Sequence, residues 1–268
     1  MSWHETDDVE RWLTLVGHLL LDQPGVHTIS LSVASASRAR YDGTRFLWWQ
    51  EPDGAVTGAA SATPPYPVVL AVVPEHALDP LAEQLVPSGV NGRTEQAVHF
   101  AALAGHRQGT DARLVHAERL FRLGTLTAPT GVLGSARLAG PDDEDLLVPW
   151  HDAFVAETGV QSRDSRAAVK DRLSYDGLLL WEADGQPVAM AGRTRESFGG
   201  IRIGPVFTPV PQRGRGYGGA VTAELARLAQ GLAREVVLFT DLTNATSNAL
   251  YQRLGFRPVH DRAVLTIG

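Results

Sequence analysis

The stretch Ile203-Gly-Pro-Val-Phe-Thr-Pro-Val-Pro-Gln-Arg-Gly-Arg-Gly-Tyr-Gly-Gly219 constrains this chain more than any other. Ile201, Ile203, Val206 and Phe207 form strands readily. Pro209 and Pro211 end the strand, because proline has no N–H to give to a sheet ladder. Gly214, Gly216, Gly218 and Gly219 make a turn, and Val221, Leu225, Leu228 and Leu232 then recur on one helical face. A glycine turn that opens a helix suits an anion. The first N–H groups of a helix have no internal partner and carry the positive end of its dipole. Glycine lets a phosphate approach the backbone closely, and Arg213 and Arg215 add charged donors.

The spacing Arg213-x-x-Gly216-x-Gly218 resembles the acyl-CoA pyrophosphate loop of the GCN5-related N-acetyltransferase (GNAT) family, and Val206-Phe-Thr-Pro209 looks like that family's fourth strand. Farther on, Asn244-Ala-Thr-Ser247-Asn-Ala-Leu-Tyr251-Gln-Arg-Leu-Gly255-Phe256 is similar to its second signature. The resemblance implies an α/β fold with a mixed, twisted sheet. It also implies acetyl-CoA as cosubstrate, held by Val206, Phe207, Thr208, Arg213, Gly214, Arg215, Gly216, Tyr217, Gly218, Asn244 and Ser247. The acetyl group would pass directly to the amine of a small molecule or peptide, with Tyr251 protonating the departing thiolate. One departure concerns the base. Many members place a carboxylate on the strand before the cofactor contacts, where this chain has Ile201-Arg-Ile-Gly204. Glu157 is the candidate elsewhere, with Glu196 and His151 behind it.

The chain before this region reads as a fainter copy of the same domain. Asp7 to Leu21 has helical periodicity, His27 to Ala34 alternates like a strand, and Phe46–Gln50 with Val56 onward forms a hairpin around Asp53-Gly54. A strand over Pro67 to Val73, helices over Leu78–Leu85 and Glu95–Leu103, and a strand from Arg113 to Leu123 follow. Thr125 to Gly134 reads as a linker. Beyond it lie a strand at Ser135–Leu138, a helix opened by Asp142, Asp143 and Glu144 that Pro149 should kink, and another helix over Ser165–Leu173. A second hairpin turns at Asp184-Gly185. Glu182-x-Asp184-Gly185 repeats Glu51-x-Asp53-Gly54, and Arg257-Pro-Val-His260 echoes Arg113-Leu-Val-His116. The reading is therefore two tandem GNAT-like domains, 1–124 and 125–268. After its buried strand the first half has Pro74-Glu-His-Ala-Leu-Asp-Pro80, which carries two carboxylates and no glycine loop, so only the second half is expected to bind cofactor.

Composition narrows the classes further. The chain has 268 residues and a net charge of -6 with no basic cluster, which argues against a nucleic-acid surface. It contains no cysteine, excluding disulfides, thiolate zinc sites and a cysteine acyl-enzyme. Its nine histidines show no metal-ligand spacing, and His116 and His260 are expected in satisfied strand positions. Apolar runs are too short to span a bilayer, and Met1 to Asp8 lacks a signal peptide's basic region, so the expected location is the cytoplasm, with no membrane or metal. Two rivals stand beside the acetyltransferase. Gly214-x-Gly216-x-x-Gly219 followed by Asp241 also fits a dinucleotide fingerprint, and a tandem pair could be a non-catalytic acyl-CoA sensor.

Overall fold

The computed structural model describes residues 1–37, 43–160 and 164–268. Two compact units divide the chain: Met1–Leu120 with His260–Gly268, and Phe121–Val259. In chain order the first elements are β1 (Ser2–Thr6), α1 (Val9–Leu20), α2 (Thr28–Ser37), β2 (Arg45–Gln50), β3 (Val56–Ala62), β4 (Val68–Val72), α3 (Leu78–Gln84), β5 (Gly89–Arg93), α4 (Thr94–Gln108) and β6 (Ala112–Leu123). Then come β7 (Ser135–Leu138), α5 (Glu144–Thr158), α6 (Ser165–Leu173), β8 (Leu178–Ala183), β9 (Gln186–Arg193), β10 (Gly200–Phe207), α7 (Tyr217–Gln230), β11 (Glu235–Asp241), α8 (Ala245–Arg253) and β12 (Phe256–Ile267). The second series repeats the first, element for element.

Pairing repeats as well. In the first unit the order is β1-β2-β3-β4-β5, and only β4 and β5 run parallel, with Val68 opposite Val90. In the second it is β7-β8-β9-β10-β11, and only β10 and β11 run parallel, with Ile203 opposite Leu238. The domain ends differ from the sequence boundary at 124/125. Phe121 lies in the second unit's core, whereas Arg262 to Thr266 of β12 pair antiparallel with Arg93 to Gly89 of β5 in the first unit.

Local chemistry explains most elements. Asp8 caps α1 by accepting from the N–H groups of Glu10 and Arg11 at 2.9 and 3.1 Å. That helix buries Trp12, Val16 and Leu20 completely, and the Trp12 indole donates to the Leu47 carbonyl at 2.9 Å. The expected strand over His27 to Ala34 is instead α2. Thr28, Ser30, Leu31 and Ala34 are buried there, 28, 31 and 34 at helical spacing, and the small serines and alanines between them mask that period behind an Ile29-Leu31-Val33 alternation. Strand β5 is hidden by its glycines. A Cβ on Gly89 would lie 2.5 Å from the Leu265 carbonyl oxygen, so the close approach of β12 requires glycine there. Helix α5 runs through Pro149 without a break. No helix among the described residues is long and apolar enough to cross a membrane.

The first unit holds an unexpected polar group. Arg262, buried in β12, donates to Asn91 Oδ1 of β5 at 2.8 Å. His260 does not sit in a satisfied position: both ring nitrogens are buried without a hydrogen-bond partner among the described residues, as is Nδ1 of His116. Burial first, then the guanidiniums of Arg93 and Arg262, push His27 and His260 each down to about 4. Unfolding would return both imidazoles to 6.5, so the unfolded chain binds more protons between these values. Their contribution to stability is complete above pH 6.5 and is lost as pH falls towards 4. Thermal midpoints should therefore drop through that window, and His260→Leu should flatten the drop. A midpoint constant across the window would contradict this reading.

Candidate active site

The site grows from the end of β10. Its register with β9 passes from Ile203–Arg193 to Val206–Ala191, so β10 carries one extra residue there, at the bulge that Gly204-Pro205 suggests. Its parallel pairing with β11 stops at Ile203–Leu238. From Gly204 to Phe207 the β11-facing backbone therefore has no β11 partner. Phe207 closes the strand, 7% exposed, with Trp150 of α5 packed against it at 6.2 Å between ring centroids.

After a 3₁₀ turn at Val210–Gln212 the chain enters the glycine loop. Gly214 and Gly216 have φ of +77° and +83°, left-handed values that favour glycine. No side chain caps α7, whose first helical bond runs from the Ala220 N–H to the Gly216 carbonyl at 3.0 Å. The N–H groups of Tyr217, Gly218 and Gly219 thus open the helix without protein acceptors among the described residues. The remaining glycines serve packing. A Cβ on Gly218 would lie 3.1 Å from Thr208 Oγ1, and one on Gly219 would lie 3.0 Å from Leu250 Cδ1. The second contact seats α8 against the first turn of α7, bringing the two sequence signatures together.

The arginines divide. Arg213 donates through Nε to the Thr208 carbonyl at 2.9 Å and grips both carboxylate oxygens of Glu157 at 2.7 Å. The proposed base and a proposed phosphate ligand are thus each other's partners, both about half exposed. Arg215 is exposed and has no ion-pair partner among the described residues.

Asn244 is the N-cap of α8, its Oδ1 accepting from the Ser247 N–H at 2.9 Å. Tyr251 lies on the same short helix, 8% exposed, edge-on to Phe256 at 6.1 Å. Its hydroxyl makes no hydrogen bond among the described residues, and burial pushes its pKa up to about 12. His151 is buried in α5, with Nδ1 2.9 Å from Ser165 Oγ. Glu196 lies near the start of β10 and accepts from the Gly199 N–H, at the far end of the strand from Phe207.

Three details were not legible in the sequence. Thr125 to Gly134 is no loose linker. Thr127 donates to the Leu254 carbonyl at 3.0 Å, Trp181 Nε1 donates to the Leu133 carbonyl at 2.9 Å, and Val132 lies 3.1 Å from where a Gly216 Cβ would project. Trp150 is the aromatic that covers the end of β10, and only its helical spacing with Leu146, Leu147 and Phe154 hinted at it. Asp241 is occupied by the Thr243 N–H at 2.6 Å, and β7 to β10 run antiparallel, so neither the ribose carboxylate nor the parallel sheet of the dinucleotide rival is present. Among the described residues no cluster of His, Asp or Glu could hold a metal.

Residues 143–256 match the model of the acetyltransferase (GNAT) family. Among solved structures, the chain is similar to an acetyltransferase of the GNAT family from Colwellia psychrerythraea, at 13% identity and TM-score 0.63, with 99% of each chain covered. It is also similar to a GCN5-related N-acetyltransferase from Sphaerobacter thermophilus, at 16% identity and TM-score 0.61, covering 98% of this chain and 94% of that one. A third, from Kribbella flavida, has 18% identity and TM-score 0.59, with 91% and 96% covered. No curated protein matches the sequence. The motif pair, the bulged strand and these likenesses converge: residues 143–256 are a GNAT-family domain, in a chain that has the fold of GNAT acetyltransferases along its length.

Proposed function

We propose that the C-terminal unit is an N-acetyltransferase that moves the acetyl group of acetyl-CoA to a primary amine by direct attack. The observation that carries this is the uncapped start of α7 behind two left-handed glycines, beside an exposed, unpaired Arg215. Three free N–H groups, the helix dipole and a guanidinium suit a pyrophosphate. The unpaired edge of β10 from Gly204 to Phe207 can bond an extended pantetheine arm as an added strand would. When bound, acetyl-CoA supplies an activated thioester. Asn244 and Ser247 hold the start of α8 in place, and Tyr251 presents a protonated hydroxyl for the leaving sulfur. That unpartnered hydroxyl favours an enzyme over a sensor, which needs no proton donor.

Glu157 takes a different part from that of a base. Its bidentate grip on Arg213 orients the loop's first arginine. In the first unit α3 opens after Glu75 and carries Asp79 in its first turn, which suits that unit to a structural role without cofactor. Cytoplasmic placement goes with use of acetyl-CoA.

Thiol release from acetyl-CoA against a panel of small amines, amino acids and peptides tests this function. Release should depend on the amine, and Glu157→Gln should keep turnover within about tenfold, since an exposed ion pair contributes only about 0–1 kcal/mol. Saturable acetyl-CoA binding without amine-dependent release would favour the sensor. A fall of 10²-fold or more, roughly what loss of a general base costs, would return Glu157 to that role.

A further inference from the structure

Amine attack requires a proton acceptor, and the strand Ile201-Arg-Ile-Gly204 offers no carboxylate. We propose, building on the acetyltransferase reading, that His151 is that acceptor, acting through Nε2 directly or across one water, and that Ser165 is its positioning residue. Leu147 and His151 are the two buried residues of α5 and lie one helical turn apart, so the imidazole is on the side of the helix that faces the sheet. The preceding residue, Trp150, packs on Phe207 at the end of the unpaired segment of β10. Ser165, which begins α6, stands 2.9 Å from Nδ1. Nε2 makes no hydrogen bond among the described residues. One nitrogen is thus anchored and the other left open, the arrangement a general base needs.

The surroundings keep the ring neutral. Burial, then the Arg172 guanidinium of α6, lower its pKa, while Asp152 on α5 opposes them weakly. Arg172 of α6 and Asp152 of α5 are the charged groups that act on it, and Ser165 is its hydrogen-bond partner. Nε2 takes a proton from the entering ammonium and later releases it to solvent. The neutral nitrogen forms the new N–C bond as the C–S bond breaks. Tyr251 shares its proton with the sulfur as charge develops there, and the surplus proton of the new amide passes through solvent to the departed thiolate, giving the thiol.

The pH profile of kcat/KM tests the assignment. Because the acceptor must be neutral, activity should fall on the acid side, with the inflection below 6.5. His151→Gln should lower turnover by about 10²–10⁴-fold, remove that acid limb and leave acetyl-CoA affinity unchanged. Added imidazole should restore part of the rate. Ser165→Ala should displace the limb while keeping most of the rate. If His151→Gln retains the limb and the turnover, or loses acetyl-CoA binding in step with turnover, the proposal is overturned while the acetyltransferase reading stands. A wild-type chain that acetylates no amine fails both.

Discussion

Replacing Tyr251 with phenylalanine should lower turnover by about 10²–10⁴-fold, as removal of a general acid does, with acetyl-CoA affinity nearly kept. The side chain sits in the core formed by Tyr217, Val221, Leu254 and Phe256, so the ring has a packing role that phenylalanine preserves. The hydroxyl has no such role, since it bonds to nothing among the described residues. Its removal should leave stability almost unchanged, because losing an unpaired polar group from apolar surroundings is near neutral or favourable. Burial raises the phenol to about 12 and thereby keeps it protonated across the neutral range. A thiol of pKa about 8.5 gives a weaker base than the phenolate, so the hydroxyl supports the departing thiolate mainly by sharing its proton as charge develops. Single-turnover measurement with a slow amine isolates this step. Wild-type turnover in Tyr251→Phe would mean that the residue only packs.

Gly255→Ala should produce the largest loss of stability, about 3–5 kcal/mol, in the range reserved for backbone conflicts that cannot relax. Gly255 has φ of +97°, and a Cβ there would lie 1.9 Å from the Thr125 carbonyl oxygen. That carbonyl cannot swing aside easily. Gly124 donates to the Gly255 carbonyl, and Thr127 to that of Leu254, both at 3.0 Å. Gly159→Ala is the control. It shares the left-handed conformation, at φ +68°, but has nothing among the described residues within 4 Å of the added methyl. It should cost about 1 kcal/mol, from backbone strain alone. Denaturant midpoints of the two variants separate clash from strain; equal midpoints would show that the segment after β6 yields.

These glycines also mark how much was legible in the sequence. The loop Arg213 to Gly219 and the α8 signature were visible because turn, helix start and cap depend on local backbone chemistry. The hairpins were visible for the same reason, although they turn differently. Asp184 and Gly185 both adopt positive φ, at 51° and 70°, whereas in the first hairpin Gly54 does so at 90°. What stayed hidden depends on distant neighbours. Gly219 reads as part of a phosphate cradle but makes room for Leu250. Arg213 reads as a phosphate donor but is held by Glu157, fifty-six residues earlier. The strand Gly89–Arg93 has little strand propensity of its own and exists because β4 and β12 flank it. His260 looked like an ordinary strand residue, and no local pattern announces two unpartnered ring nitrogens.

Calorimetric titration of the full chain with acetyl-CoA is the most direct test of the proposed site. If the glycine loop of the C-terminal unit is where the cofactor binds, the stoichiometry is one per chain. Gly216→Val should abolish the binding heat while circular dichroism stays unchanged, because a branched side chain at φ +83° meets Val132 and deforms the loop. Two equivalent sites, or a single site of unchanged affinity in Gly216→Val, would contradict it.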